Sequence, residues 1–269
     1  MKKSKKYLIL AVTVIAVIAL CTGVILAYNA GLFDAIIETA KAKIELNFIK
    51  ESRWKYLTNG LMNTLIISFF AVLIGIVLGF IIAILRSTFD TMDKKNVFTK
   101  SINWILKAYL TVIRGTPALI QLLIIYYVIF TSPDVSKMFV ACLSFGLNSS
   151  AYIAEIVRSG IMSVDVGQFE AGRSLGFSHA GTMWHFILPQ AVKNILPALG
   201  NEFIVLVKET SIAGYIGIAE LTRGGDTIRS RTYEAFLPLI AVAIIYLVIV
   251  MFLTSLVTKL ERRLQTDGK

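Results

Sequence analysis

Five stretches of this chain carry no charged side chain: Tyr7 to Phe33, Tyr56 to Leu85, Gly115 to Pro133, Met138 to Ala154 and Ala235 to Thr258. Roughly 20 apolar residues in a helix cross the hydrocarbon core of a bilayer. Four of the runs reach that length. The Met138 run is slightly short, as a helix lined by Ser144, Asn148, Ser149 and Ser150 could be. A sixth candidate, about Ile195 to Tyr215, is interrupted by Glu202, Lys208 and Glu209. Only 16% of the residues are charged, against ~25% in soluble domains. The expectation is an all-α integral membrane protein embedded in a lipid bilayer.

The first run needs separate treatment. Lys2, Lys3, Lys5 and Lys6 precede it, as basic residues open a signal peptide. The apolar stretch is longer than a signal core, however, and no A-x-A cleavage site follows. Leu20 before Cys21 makes a poor lipoprotein site. An uncleaved membrane anchor is expected. After it, Phe33, Ile36, Ile37, Ala40, Ile44 and Phe48 approximate a helical apolar face. This segment reads either as an amphipathic helix on the outer interface or as a simple connector. Residues 1–57 thus form an anchor plus an external segment.

The net charge of +10 fits the rule that cytoplasmic loops collect Lys and Arg better than it fits nucleic-acid binding. With a cytoplasmic N-terminus, six helices return the C-terminus to the cytoplasm. Sixteen basic residues then fall in cytoplasmic segments and nine outside, with Arg114 and Lys208 at or within helices. That bias supports cytoplasmic N- and C-termini. It also places a polar stretch, FEAGRSLGFSHAGTMWHFILPQ from Phe169 to Gln190, on the cytoplasmic side.

No G-x-x-x-x-G-K-[ST] loop is present to cradle a phosphate, so no nucleotide or other cofactor is expected on this chain. His179 and His185 stand alone, without metal-ligand spacing. Cys21 and Cys142 sit in apolar runs and read as small apolar residues. No catalytic residue or metal site is expected, and the chain does not read as an enzyme. The polar stretch instead has the grammar of a helical hairpin. Gln168 to Leu175 suits a short helix, Gly176 can break it through positive φ, and Ser178 can cap a second helix. Pro189 ends that run or begins the next span. A rigid hairpin of this kind suits docking into a groove of another protein.

At this point the sequence resembles a family. EAGRSLGFSHAGTMWHFILPQA looks like the EAA loop of ABC-importer permeases, with Glu170, Ala171, Gly176 and Pro189 at the motif positions. Gly172 replaces the usual second alanine, a departure expected to loosen the helix without abolishing the motif. NGLMNTLIIS from Asn59, IRGTPALIQLL from Ile113, SSAYIAEIVRSGI from Ser149 and VKETSI from Val207 are similar to segments of the polar amino-acid subgroup (histidine, glutamine, arginine or cystine type), in the same order. The resemblance covers about residues 58–264 and leaves residues 1–57 outside. It implies a type I permease core of five helices, here with one extra N-terminal transmembrane helix, in a prokaryotic plasma membrane. It implies partners as well: a dimeric ATPase that carries the ATP and Mg, a second permease copy or a homologous permease, and an extracytoplasmic amino-acid-binding protein. The loop at about 168–190 would then be the coupling helix, with Glu170, Ala171, Arg173, Gly176 and Pro189 as its candidate residues.

Ionisable groups at membrane depth are functional candidates by default. Gln121, Asn148, Glu155, Lys208 and Glu209 are candidates for a translocation path. Each has a structural alternative: an interhelical hydrogen bond for Gln121 and Asn148, a pair with Arg158 for Glu155, and a pair across the bundle for Lys208 and Glu209. Arg114 reads as a helix-start element or a substrate anion site. The leading function is the permease subunit of an ATP-driven amino-acid importer. The alternative is a receptor or scaffold subunit that couples ligand sensing to a cytoplasmic partner without transport.

Overall fold

A computed structural model describes Thr22, residues 31–91 and residues 96–266. The expected anchor, Tyr7 to Phe33, lies almost wholly outside the described residues. Among the described residues every regular element is helical. The chain divides into two compact units, residues 1–54 and 55–269.

In the first unit, helix α1 (Leu32–Ile44) follows Gly31, which stands at φ 67°. Asp34 lies in its first turn, and Lys41 and Lys43 in its last, each where the helix dipole favours that sign. Ile36, Ile37 and Ile44 are exposed on it. The chain then breaks at Glu51 and Ser52, both left-handed. Buried Arg53 closes that break by donating to the Leu46 carbonyl at 2.7 Å and to the Glu51 carboxylate at 3.1 Å.

The second unit is a bundle. Among the described residues three helices are long and apolar enough to cross a membrane: α2 (Trp54–Thr91), α5 (Lys137–Met162) and α10 (Phe236–Thr266). The short Met138 run is therefore part of a longer helix, because α5 continues past Glu155 and Arg158 to Met162. The run from Gly115 to Pro133 is not a straight span. It is divided between the end of α3 (Val97–Gly115) and α4 (Ala118–Ile124), which continues as a π-helical turn to Ile129. The two helices meet at a bend of 111°. Pro117 is the physical cause, since it lacks an N–H and clashes with a continuing helix. Counting uncharged residues could not register that break. The sixth candidate span is α8 (Leu188–Glu209), extended by a tighter turn to Ile216. Its polar residues keep it out of the long apolar class.

Without a hydrophobic drive between helices in lipid, close packing relies on small residues. Gly75 and Gly79, one turn apart on α2, receive Ile153 of α5; a Cβ at Gly79 would lie 2.7 Å from the Ile153 Cγ2. Gly160 of α5 receives Ile195 of α8 in the same way, where a Cβ would overlap the Ile195 side chain. Ile67, Leu122, Phe145, Ile153, Ile195 and Leu206 fill the core these notches create. Helix α8 packs on both α5 and α10. A last helix, α9 (Leu221–Thr232), is held by Glu220, which is 1% exposed. Its carboxylate accepts the N–H groups of Thr222 and Arg223 at 2.7 and 2.6 Å. Burial pushes that carboxyl up, and the two backbone hydrogen bonds pull it partly back.

Candidate functional site

The polar hairpin lies between α5 and α8. Helix α6 (Val166–Ser174) starts at Asp165, whose side chain accepts the Gly167 N–H at 2.6 Å. It begins two residues earlier than expected. Glu170 therefore lies beyond the first turn, and Asp165 occupies the dipole-favoured end instead. Gly176 stands at φ 86°, the left-handed geometry that ends helices and that glycine adopts without cost. Arg173 closes the turn by donating from Nη1 to the Phe177 carbonyl at 3.0 Å. Ser178 caps the next helix, α7 (His179–Thr182), by accepting the Gly181 N–H at 3.1 Å.

Gly172, which replaces the motif's second alanine, is buried where α6 meets the second arm of the hairpin. A Cβ there would lie 2.6 Å from the Thr182 Cγ2, and Thr182 is fully buried. The missing side chain lets the two arms approach closely. The histidines belong to the same packing. His179 meets the Phe169 ring edge-on at 4.9 Å, and His185 pairs through Nδ1 with the Gly181 carbonyl at 2.9 Å. Phe177 packs edge-on against Phe186 at 5.1 Å.

Residues 183–187 form a π-helical turn that leads into α8, and Pro189 sits in the first turn of that helix. The helical path is continuous from His179 through this turn, and the wider π geometry just before Pro189 eases the clash its ring would make with an α-helical turn. Gln190 ties the hairpin's ends together. Its Nε2 donates to the Phe186 carbonyl at 2.9 Å and to Gln168 Oε1 at 3.3 Å.

The hairpin's own polar groups are thus largely satisfied within it. Its outer surface is different. Glu170, Ala171 and Arg173 are exposed. Leu175 and Trp184 are 70% and 71% exposed, high values for large apolar side chains. Among the described residues no hydrogen bond or ion pair engages the Glu170 carboxylate. A rigid, self-capped piece with exposed apolar anchors and an unengaged carboxylate has the chemistry of a docking element.

The five residues proposed for a translocation path do not form one site. Gln121 is buried at the bend between α3 and α4. Its Nε2 lies within reach of the Ile113 carbonyl (2.8 Å), the Thr116 carbonyl (3.0 Å) and the Thr116 Oγ1 (2.8 Å). Its Oε1 accepts from Asn148 Nδ2 of α5 at 2.9 Å. The pair repairs the carbonyls left open at the Pro117 break and ties that break to the bundle. Glu155 pairs with Arg158 at 3.1 Å, as the spacing allowed, and also with Arg86 of α2 at 3.1 Å and Arg114 of α3 at 3.8 Å. Arg114 further lies 5.9 Å from the centre of the Tyr152 ring. Lys208 is exposed and Glu209 half-buried at the far end of α8. Neither joins Gln121, Asn148 or Glu155.

A cavity of about 470 Å³ opens between α5 and α8, bordered by Tyr152, Glu155, Ser159, Asn194 and Glu202 among others. Glu202 accepts from Ser149 Oγ at 2.8 Å. It was legible in the sequence only as an interruption of an apolar run, although an acid at such a position is itself a signal. Among the described residues no cluster of three His, Cys, Asp or Glu could hold a metal ion.

The arrangement defines a class: a helical bundle with three apolar helices long enough to cross a membrane, a self-capped hairpin with exposed apolar side chains, and an open, largely apolar groove between α5 and α8 into which Glu155 and Glu202 reach. Residues 75–266 match the family described as "Binding-protein-dependent transport system inner membrane component", and the chain belongs to that family. It is 36% identical over 229 residues to the L-cystine transport system permease protein TcyB of Bacillus subtilis, covering 84% of this chain and 94% of that protein. It is 35% identical over 215 residues to the arginine transport system permease protein ArtQ of the same organism, covering 79% and 94%. The solved structure titled "Crystal structure of an amino acid ABC transporter with histidines" matches with a TM-score of 0.72 and 43% identity, over 80% of this chain and 98% of that one. An inward-facing MetNI methionine ABC transporter shares the fold at a TM-score of 0.64 and 20% identity, over 78% and 97%.

Proposed function

We propose that this chain is the membrane-spanning permease of an ATP-driven importer for a polar amino acid. The names of its relatives support the substrate class: cystine, arginine and glutamine permeases are among them. The observation that carries the coupling role is the hairpin at 168–190, capped by its own side chains yet presenting Glu170, Leu175 and Trp184 outward. In this reading Glu170, Ala171 and Arg173 meet a groove of a dimeric ATPase, while Gly176 and Pro189 hold the hairpin's shape. ATP and Mg reside on that partner. Closure of the ATPase dimer moves two hairpins, one from each permease copy or from a homologous partner permease. The bundle then shifts between two packings, one open to each side of the membrane.

The finer architecture follows the same reading. Residues 58–264 form the permease core, and residues 1–57 an anchor with an external segment. Five core spans arise if the bent pair α3–α4 counts as one and α8 as another, beside α2, α5 and α10. The N- and C-termini are cytoplasmic in a prokaryotic plasma membrane, and an extracytoplasmic binding protein delivers substrate. In this reading the groove between α5 and α8, bordered by the expected Glu155 and by Glu202, lies on the path, while Gln121 and Asn148 bond to each other.

Uptake of labelled amino acid into vesicles holding the permease, its ATPase, the binding protein and internal ATP tests this. ATP-dependent accumulation is expected. A ligand-induced response of the cytoplasmic partner without accumulation overturns transport in favour of a receptor or scaffold subunit.

A further inference from the structure

Helix α3 carries two stripes that the transport reading does not use. Lys100, Lys107 and Arg114 recur every seven residues. Phe98, Ile105 and Val112 do the same, and they are 70%, 57% and 58% exposed. At 3.6 residues per turn, positions two apart lie nearly opposite on a helix. Phe98 and Lys100 are such a pair, as are Ile105 with Lys107 and Val112 with Arg114. The cations and the apolar residues therefore run along opposite flanks. Between them, Thr99, Asn103 and Leu110 face the protein and are buried. Helix α3 contains no acidic residue.

The bend sets how this helix sits. With α4 along the membrane normal, a 111° change of direction brings α3 close to the membrane plane. The remaining stretch still crosses. Twelve helical residues from Ala118 to Ile129 cover roughly 18 Å. The four residues from Phe130 to Pro133 add about 13 Å when extended. Together they match a hydrocarbon core of ~30 Å. Helix α3 is then free to lie at the interface, apolar flank inward and basic flank toward the headgroups.

The charge balance at its end points the same way. Glu155 is shared by Arg86, Arg114 and Arg158, which leaves an excess of two positive charges. The buried Arg86 Nε has no hydrogen-bond partner. Among the described residues neither Lys100 nor Lys107 forms an ion pair.

We infer that α3 is a binding element for anionic phospholipid headgroups of the cytoplasmic leaflet, with Lys100 and Lys107 holding phosphates along the helix and Arg114 closing the site against the Arg86 junction. The inference rests on the membrane placement given above, and its test does not depend on transport.

Trp104, 70% exposed on the same helix, supplies a probe. The full-length Trp54→Phe/Trp184→Phe variant leaves it as the sole tryptophan. In phosphatidylcholine vesicles, brominated phosphatidylglycerol is expected to quench Trp104 more strongly than brominated phosphatidylcholine. The preference should be on the order of fivefold for each lysine. It should vanish in the added Lys100→Gln/Lys107→Gln variant and persist with millimolar inorganic phosphate. Equal quenching by the two lipids overturns the headgroup site. Loss of the preference with inorganic phosphate makes it a site for free phosphate instead. Absence of quenching by either lipid overturns the interfacial placement. For the unmodified chain, native mass spectrometry should show retained phosphatidylglycerol that the double lysine variant loses; equal retention by both counts against the proposal.

Discussion

Two of the breaks between helices, at the hairpin around Gly176 and at the bend around Pro117, are repaired in opposite ways. The hairpin closes on itself. Asp165, Arg173 and Ser178 each satisfy backbone groups two to four residues away. The bend is closed by Gln121, which is in turn fastened to Asn148 on another helix, 27 residues along the chain. A break repaired locally can move as a unit and keep its shape. A break repaired through the bundle can move only if the bundle moves with it.

The largest expected effect breaks the bundle's side of this contrast. Gln121→Leu leaves carbonyls at the bend and the Asn148 amide unpaired in a buried place. A loss of about 3 kcal/mol or more is expected, read as a lower thermal unfolding midpoint in detergent. A loss under about 1 kcal/mol would show that the bend does not need its lock. Next comes Gly176→Val. A β-branched residue at φ 86° costs about 2 kcal/mol, whereas Gly176→Asn should be much milder; equal effects of the two would remove the backbone explanation.

Gly172→Ala should cost about 1 kcal/mol through overpacking against Thr182. The double variant Gly172→Ala/Thr182→Ser removes the methyl that the new Cβ meets and should recover most of the loss. Failure of that rescue would show the close approach of the arms is not what Gly172 serves. Asp165→Ala is the smallest, about 1 kcal/mol or less for a lost helix cap. Hydrogen exchange should place that loss in α6 alone. If exchange also quickens in α5 or α8, the hairpin is not the self-contained unit described.

Legibility in the sequence followed the same divide. The hairpin uses short-range chemistry, so its glycine turn, its Ser178 cap and the place of Pro189 could be read from order alone. Its inner packing could not. Nothing local says that Gly172 faces Thr182, or that His179 packs across the arms against Phe169. The bundle's long apolar helices were legible from their lack of charge, and the stretch from Arg114 to Pro117 as the approach to a helix start; the 111° angle at which α3 meets that helix was not. Gln121 and Asn148 were legible as polar residues in apolar surroundings; that each is the other's partner depends on where two helices cross. Glu155 showed one arginine partner by spacing, while Arg86 and Arg114 arrive from other helices.

The central claim is that the hairpin transmits the work of a separate ATPase, and Glu170 tests it most directly. The Glu170 side chain is exposed and, among the described residues, makes no hydrogen bond or ion pair, so Glu170→Lys should leave insertion and thermal stability within about 0.5 kcal/mol. In the assembled complex, with binding protein and substrate present, stimulated ATP hydrolysis should fall to the unstimulated rate. Full stimulation in a correctly inserted Glu170→Lys complex would contradict the docking role of this hairpin.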